Sequence, residues 1–207
     1  MALFPAFLKL AGRPCVVVGA GAVAEEKVEG LLLAGAEVRV VAPKATPRIR
    51  ALARTKRISL RTRRFRFSDL DRAFLVVAAT SSASLHAKIF AQARRRAILC
   101  NVVDDPKHCD FYYGAVVRRG ALQIAISTEG HSPALAQRLK KKIAREFGRE
   151  YENWLAELGK NRKQLFAEKK LPPARRKAVL HRIAGAASFK KFQRRKKRQA
   201  RQARKSH

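Results

Sequence analysis

Short apolar runs rich in β-branched residues recur through the first half of the chain, and stretches of helical periodicity separate them. Residues 15–18 read Cys-Val-Val-Val and stop at Gly19. Later runs occupy 37–41, 58–65, 74–79 and 98–103. The run at 74–79 is almost continuously apolar, as a parallel strand buried on both faces should be. Between the runs, Val23, Val28, Leu31, Leu32 and Ala34 mark a helix that Gly35 ends. Residues 46–57 form a weaker, basic helical stretch, 68–71 a short helical turn and 84–95 a further helix. Residues 3–10 read as an apolar edge segment. Alternation of this kind predicts an α/β, Rossmann-like parallel sheet.

The rhythm changes near residue 113. Residues 113–117 and 122–126 read as two strands, with Arg118-Arg119-Gly120 between them as a hairpin signal. Ser132 and Pro133 have the N-cap and first-turn arrangement that opens a helix. That helix runs through Leu135, Leu139, Ile143 and Phe147, with Lys140, Lys141 and Lys142 outward. A second helix spans 150–168, Leu171-Pro172-Pro173 breaks it, and a third follows at 174–183. From Phe189 onward Lys, Arg and Gln dominate, so the tail at 190–207 is expected to be disordered or a solvated helix.

The turn after the first strand carries the first candidate chemistry. Gly19-Ala20-Gly21-Ala22-Val23-Ala24 is a G-x-G-x-x-A pattern between strand and helix. Gly19 permits the tight turn, Gly21 lets a pyrophosphate approach the backbone, and Ala24 lets the helix pack close. The acidic residue expected near the end of the second strand is missing: Ala42, Pro43 and Lys44 stand there, with Arg48 and Arg50 near. NAD and NADP are therefore both open on this rule. Thr80 and Ser81 sit where ligands lie in doubly wound sheets, and they read equally as helix caps. The fifth strand delivers Asn101, Asp104 and Asp105 to the same edge. A carboxylate at Asp104 suits a general base that takes a proton as a hydride leaves, or a plain turn aspartate. His108 and Cys109 form a two-residue acid–base or metal pair, too few for a metal site. His131 suits an anion beside a helix start, or an exposed loop.

Composition bounds these readings. The 207 residues are 47% hydrophobic, enough for one large domain with an appendage. No run of eighteen apolar residues exists, and the first ten residues lack the marks of a signal peptide, so a cytoplasmic protein is expected. Cys15 and Cys100 lie in apolar runs and read as inert core thiols. The net charge is +32, and residues 190–207 hold ten Lys and Arg and no Asp or Glu. Such a field favours anionic partners. It supports a rival reading, a nucleic-acid-binding or nucleotide-sensing protein that keeps the fold without the chemistry. With only Phe189 and Phe192 interleaved, base stacking is unsupported.

Four motifs occur in one order: Gly19 to Ala24 with Glu25 and Lys27; Ala78-Ala79-Thr80; Asn101-Val102-Val103-Asp104; and Ser127-Thr128 with Gly130 and Ser132-Pro133-Ala134-Leu135-Ala136. Together they resemble the precorrin-2 dehydrogenase and sirohydrochlorin ferrochelatase family, the N-terminal module of siroheme synthases. The resemblance is strong over 3–150 and loose over 151–190. It implies oxidation of precorrin-2 to sirohydrochlorin with NAD as hydride acceptor, and in bifunctional members the insertion of ferrous iron. It implies an NAD-binding Rossmann domain at 1–112, a hairpin-and-helix segment at 113–148 that builds a homodimer, a C-terminal helical domain at 149–189, and no metal site. It makes Asp104 the catalytic candidate. Gly19, Gly21, Ala22, Val23, Pro43, Lys44, Thr80 and Ser81 become the cofactor set. Asn101, Lys107, Arg118, Arg119, Thr128 and His131 become the substrate set, with Lys140 a further cation for a carboxylate-rimmed tetrapyrrole. Those cations read equally as a solvated face. The methyltransferase module of fused siroheme synthases is not expected. The basic tail is no part of the pattern, and it is expected to bind anions or nucleic acid nonspecifically.

Overall fold

The computed structural model describes residues 2–168 and 172–205. Two compact units divide the chain, residues 3–112 and residues 113–207.

The first unit is a Rossmann-like sheet. Its strands are β1 (Pro14–Val18), β2 (Glu37–Val41), β3 (Ser59–Arg61), β4 (Leu75–Ala78) and β5 (Leu99–Val102), in the order β3-β2-β1-β4-β5. All pairs are parallel, with Val17 opposite Val40 on one side and Val77 on the other. Helices α1 (Ala22–Leu33), α2 (Pro47–Arg54) and α3 (Ala83–Arg95) connect them. Side chains alternate across each strand. Cys15, Val17, Val40 and Val77 therefore pack with Val28 and Leu31 of α1 and Ile49 of α2. Val16, Val18, Val76 and Val102 pack with Ile89 and Ala93 of α3. Both faces are covered, which is why these runs carry so few polar residues. Burial pushes the Cys15 thiol up to about 11 and the Cys100 thiol up to about 12, as expected of inert core thiols.

Two expectations fail here. Residues 3–10 form no strand. The strand expected over 58–65 stops at Arg61, where Arg63 N turns back to Arg61 O at 3.0 Å. Asp69 causes the turn. Its fully buried carboxylate accepts from Arg61 Nη1 at 2.6 Å, from Arg63 Nη1 and Nη2 at 2.8 and 2.7 Å, and from Arg66 N at 2.9 Å. These bonds hold it far below the usual carboxylate range against the opposing effect of burial. The polar positions read as a strand face are instead a charge cluster that ends the strand.

The second unit starts with an antiparallel hairpin, β6 (Ala115–Arg119) and β7 (Leu122–Ile126). Arg118 and Arg119 lie in the strand, not in the turn, which Gly120 makes at φ +57°. Helix α4 (Pro133–Glu146) begins where expected, with Ser132 Oγ accepting from Leu135 N. Helices α5 (Glu150–Ala167), α6 (Pro173–Ile183) and α7 (Ala186–Lys205) follow. Leu171 of the expected break lies outside the described residues. Of the two expectations for the tail, disorder or a solvated helix, the helix is the one seen: 186–205 is helical, and Phe192 near its start is only 5% exposed. The rings of Tyr151, Trp154 and Phe189 lie 4.5–5.7 Å apart and anchor α7 to α5. The two aromatics at the head of the basic run supply the core that the run itself lacks. Ser206 and His207 of the expected tail lie outside the described residues.

Candidate functional site

The sheet changes direction between β1 and β4, and in doubly wound sheets ligands bind at the strand ends beside such a switch. Gly19 leaves β1 there with φ +113°. A Cβ at Gly19 would sit 2.0 Å from Ala79 O and 2.7 Å from Ala79 C, so the loop after β4 demands glycine. Gly21 differs. It takes the N-cap position of α1 at φ −85°, and a Cβ there would meet nothing within 4 Å. No side chain caps this helix, and its first intrahelical bond is Glu25 N to Gly21 O. The N–H groups of Ala22, Val23 and Ala24 therefore face the open space over Gly21. Ala24 is fully buried, which brings the helix close to the strand. An open cradle, uncapped donors and the positive helix end fit the pyrophosphate of a dinucleotide.

Pro43 and Lys44 lie exposed at the end of β2, and Thr46 N donates to Ala20 O at 3.1 Å, joining this rim to the glycine loop. Arg48 is ion-paired to Glu29, and Arg50 Nη1 donates to Ala45 O. All three cations of this rim are exposed, and among the described residues Arg48 and Arg50 have protein partners while Lys44 makes no hydrogen bond or ion pair.

The loop after β4 brings Thr80 and Ser81 to the crevice. Thr80 is half-buried, Ser81 is exposed, and the cap of α3 is Ser82, whose Oγ accepts from Leu85 N. His86 Nε2 lies 2.8 Å from Thr80 O and fixes this loop from the first turn of α3. The sequence reading missed His86; a histidine one turn into a helix that follows a strand-end Thr-Ser-Ser was the available signal. After β5, Asp104 takes φ +59°, which aspartate tolerates better than most residues, and it is exposed. It makes no hydrogen bond or ion pair among the described residues. Its neighbour Asp105 is committed: Oδ2 lies 2.6 Å from His108 Nδ1, and that contact holds the Asp105 carboxyl below its usual range.

Several expected site residues are placed elsewhere. Asn101 is buried, and its Nδ2 donates to Phe111 O at 2.8 Å, leaving the side chain inside the first unit. His108 and Cys109 do not converge. His108 faces Asp105, while Cys109 Sγ lies 3.3 Å from Val102 N and 3.2 Å from Val102 O, filling the outer edge of β5. Burial raises that thiol. Lys107 is exposed on the turn Pro106–His108. The other substrate candidates belong to the second unit. Arg119 donates to Phe147 O at 2.7 Å and Ala144 O at 2.8 Å, so it closes the C-terminal end of α4. Thr128 Oγ1 donates to Ser132 O at 3.1 Å, His131 Nδ1 lies 3.1 Å from Thr128 O, and Arg118 is exposed. Among the described residues no three His, Cys, Asp or Glu side chains gather as a metal site.

Comparison with known proteins agrees with this geometry. A family described as putative NAD(P)-binding matches residues 6–115, and one described as sirohaem biosynthesis protein central matches 119–146. Siroheme synthase 1 of Serratia proteamaculans is 41% identical over 143 residues, which is 69% of this chain and 30% of that protein. A siroheme synthase of Neisseria meningitidis is 42% identical over the same length and shares. The chain thus spans about 30% of the length of these curated relatives. A solved structure named SirC, precorrin-2 dehydrogenase, matches with a TM-score of 0.73 at 25% identity, covering 93% of this chain and 98% of that one. A dinucleotide cradle at the switch point, matched over more than half the chain by one family, makes this chain a member of the putative NAD(P)-binding family.

Proposed function

We propose that the chain is an NAD-dependent precorrin-2 dehydrogenase of siroheme biosynthesis, yielding sirohydrochlorin. The observation that carries the reading is the likeness to SirC over nearly the whole of both chains. The bound nicotinamide supplies the hydride acceptor. Gly21 and the first turn of α1 hold the pyrophosphate, Pro43 and Lys44 border the adenosine, and Thr80 and Ser81 line the crevice on the β4 side. Asp104 takes the proton that the macrocycle loses with the hydride. Its exposure, and the absence of a hydrogen bond or ion pair to it among the described residues, support that role, as a base must be reachable and uncommitted. Lys107, exposed three residues after Asp104, attracts the carboxylate rim over long range.

The same reading includes a homodimer built on residues 113–148, a cytoplasmic location and domain limits at 1–112, 113–148 and 149–189. Ferrous iron is proposed as a further substrate, for which Asp104 would accept pyrrole protons. The basic last helix is the proposed anion-binding element.

Replacing Asp104 by Asn tests the assignment. The expected result is turnover reduced by about 10²-fold or more, with NAD affinity within twofold of wild type by fluorescence titration. Normal turnover would remove Asp104 from the chemistry.

A further inference from the structure

Helix α7 is the most strongly charged element of the chain, and the proposed dehydrogenation does not use it. It is amphipathic. Phe189 turns inward onto Tyr151 and Trp154 of α5, 4.5 and 4.7 Å from their rings, and Phe192 is buried with its ring 6.5 Å from that of Phe189. At 3.6 residues per turn, seven of the eight Lys and Arg between 190 and 201 fall within an arc of about 160° on the other side; only Lys196 falls outside it. All eight are exposed. Among the described residues, only Arg195 of these is ion-paired, to Glu157. A groove of about 550 Å³ borders this face on its α5 side, lined by Lys191, Arg194 and Arg198 and by the Arg195–Glu157 pair, so the one acidic group in it is already neutralised.

We propose that α7 is a docking surface for the phosphodiester backbone of a duplex nucleic acid. Spacing argues for this partner. Seven cations over residues 190–201 occupy a row roughly 16 Å long, about one per 2.5 Å of helix axis. Duplex phosphates occur about every 1.7 Å counting both strands and about every 3.4 Å along one. A membrane surface is the poorer match, because an interfacial helix inserts its apolar face and the aromatic residues of this one are spent on α5. A compact polycarboxylate would meet only part of so long a row. The aromatics face inward, so no base stacks on them, and backbone contacts carry no sequence information. Binding is therefore sequence-independent and strongly salt-dependent, and RNA and DNA share the chemistry that is recognised.

Fluorescence anisotropy of the full chain with labelled 20-bp duplexes, one RNA and one DNA in two unrelated sequences each, tests this across a salt series. The expected result is equal affinity for the two sequences, and a log K against log salt slope of about −4 or steeper, since each phosphate engaged contributes about −0.9. The duplex that stays bound to higher salt identifies the source. The combined change Lys191→Gln, Arg194→Gln, Arg198→Gln and Arg201→Gln should weaken binding at least tenfold at about 0.1 M salt and make the slope shallower by about 3–4. Unchanged Trp154 emission would show that α7 stays docked. A control variant loses the same charge from the first unit (Arg54→Gln, Arg57→Gln, Lys88→Gln and Arg95→Gln) and should bind within twofold of wild type. Equal weakening by both variants would reduce the effect to net charge and overturn the proposal. So would binding of polyglutamate or of phosphatidylserine vesicles as tight as that of either duplex, or no binding of duplex at low salt.

Discussion

Gly19 and Gly21 sit two residues apart and are glycine for different reasons. At Gly19 both φ +113° and the Ala79 carbonyl exclude a side chain, so the constraint is internal to the fold. At Gly21 the protein leaves the space open, and the proposed constraint is the approach of the dinucleotide. Gly19→Ala should therefore cost about 2–4 kcal/mol of stability. Gly21→Ala should cost less than about 1 kcal/mol, since the φ is ordinary and glycine is only a modest N-cap. It should nonetheless weaken NAD binding by tenfold or more. Thermal melts and NAD titrations of both variants check the contrast; wild-type affinity in Gly21→Ala would move the pyrophosphate away from α1. The motif was legible from its spacing, but the two roles were not, because the approach of Ala79 is a contact across sixty residues. The commitments of Asn101 to Phe111 O and of Arg119 to the end of α4 were hidden for the same reason. An amide or guanidinium looks available in a sequence until its partner is placed.

Elements were legible where one pattern governed a whole segment. β1, β2 and β7 and the start of α4 follow directly from β-branched runs and from Ser132-Pro133. β3 was overextended because Arg61, Arg63 and Arg64 kept the polar alternation going while Asp69 drew the chain aside. Helix α7 was underestimated because its charge hid the two aromatics that dock it. The Asp69 cluster has a pH consequence. A carboxyl whose pKa is lowered on folding stabilises the fold above its unfolded value, and that contribution fades as pH falls toward the folded value. Stability should therefore decline below about pH 5, and Asp69→Asn should lose about 2–3 kcal/mol at neutral pH while flattening that acid limb. Urea denaturation at pH 7 and pH 4 separates these outcomes. An acid limb of unchanged slope in Asp69→Asn would assign it to other groups.

At the scale of the molecule, the chain carries a net charge of +32, and residues 190–207 hold ten of its Lys and Arg with no Asp or Glu. Among the described residues no helix is long and apolar enough to cross a membrane. The family was legible because its motifs lie at strand ends and helix starts, where spacing is fixed by the fold. What the charge serves was not legible, because the sequence shows how many cations there are and the fold shows which of them share a face. The proposed activity accounts for the cradle at Gly21 and the uncommitted carboxylate at Asp104 together. Anaerobic absorbance spectroscopy of the purified chain with precorrin-2 and NAD⁺ tests that activity most directly. Growth of the sirohydrochlorin spectrum with one NADH formed per macrocycle is the expected result. Persistence of precorrin-2 with NAD⁺, and again with NADP⁺, would contradict it.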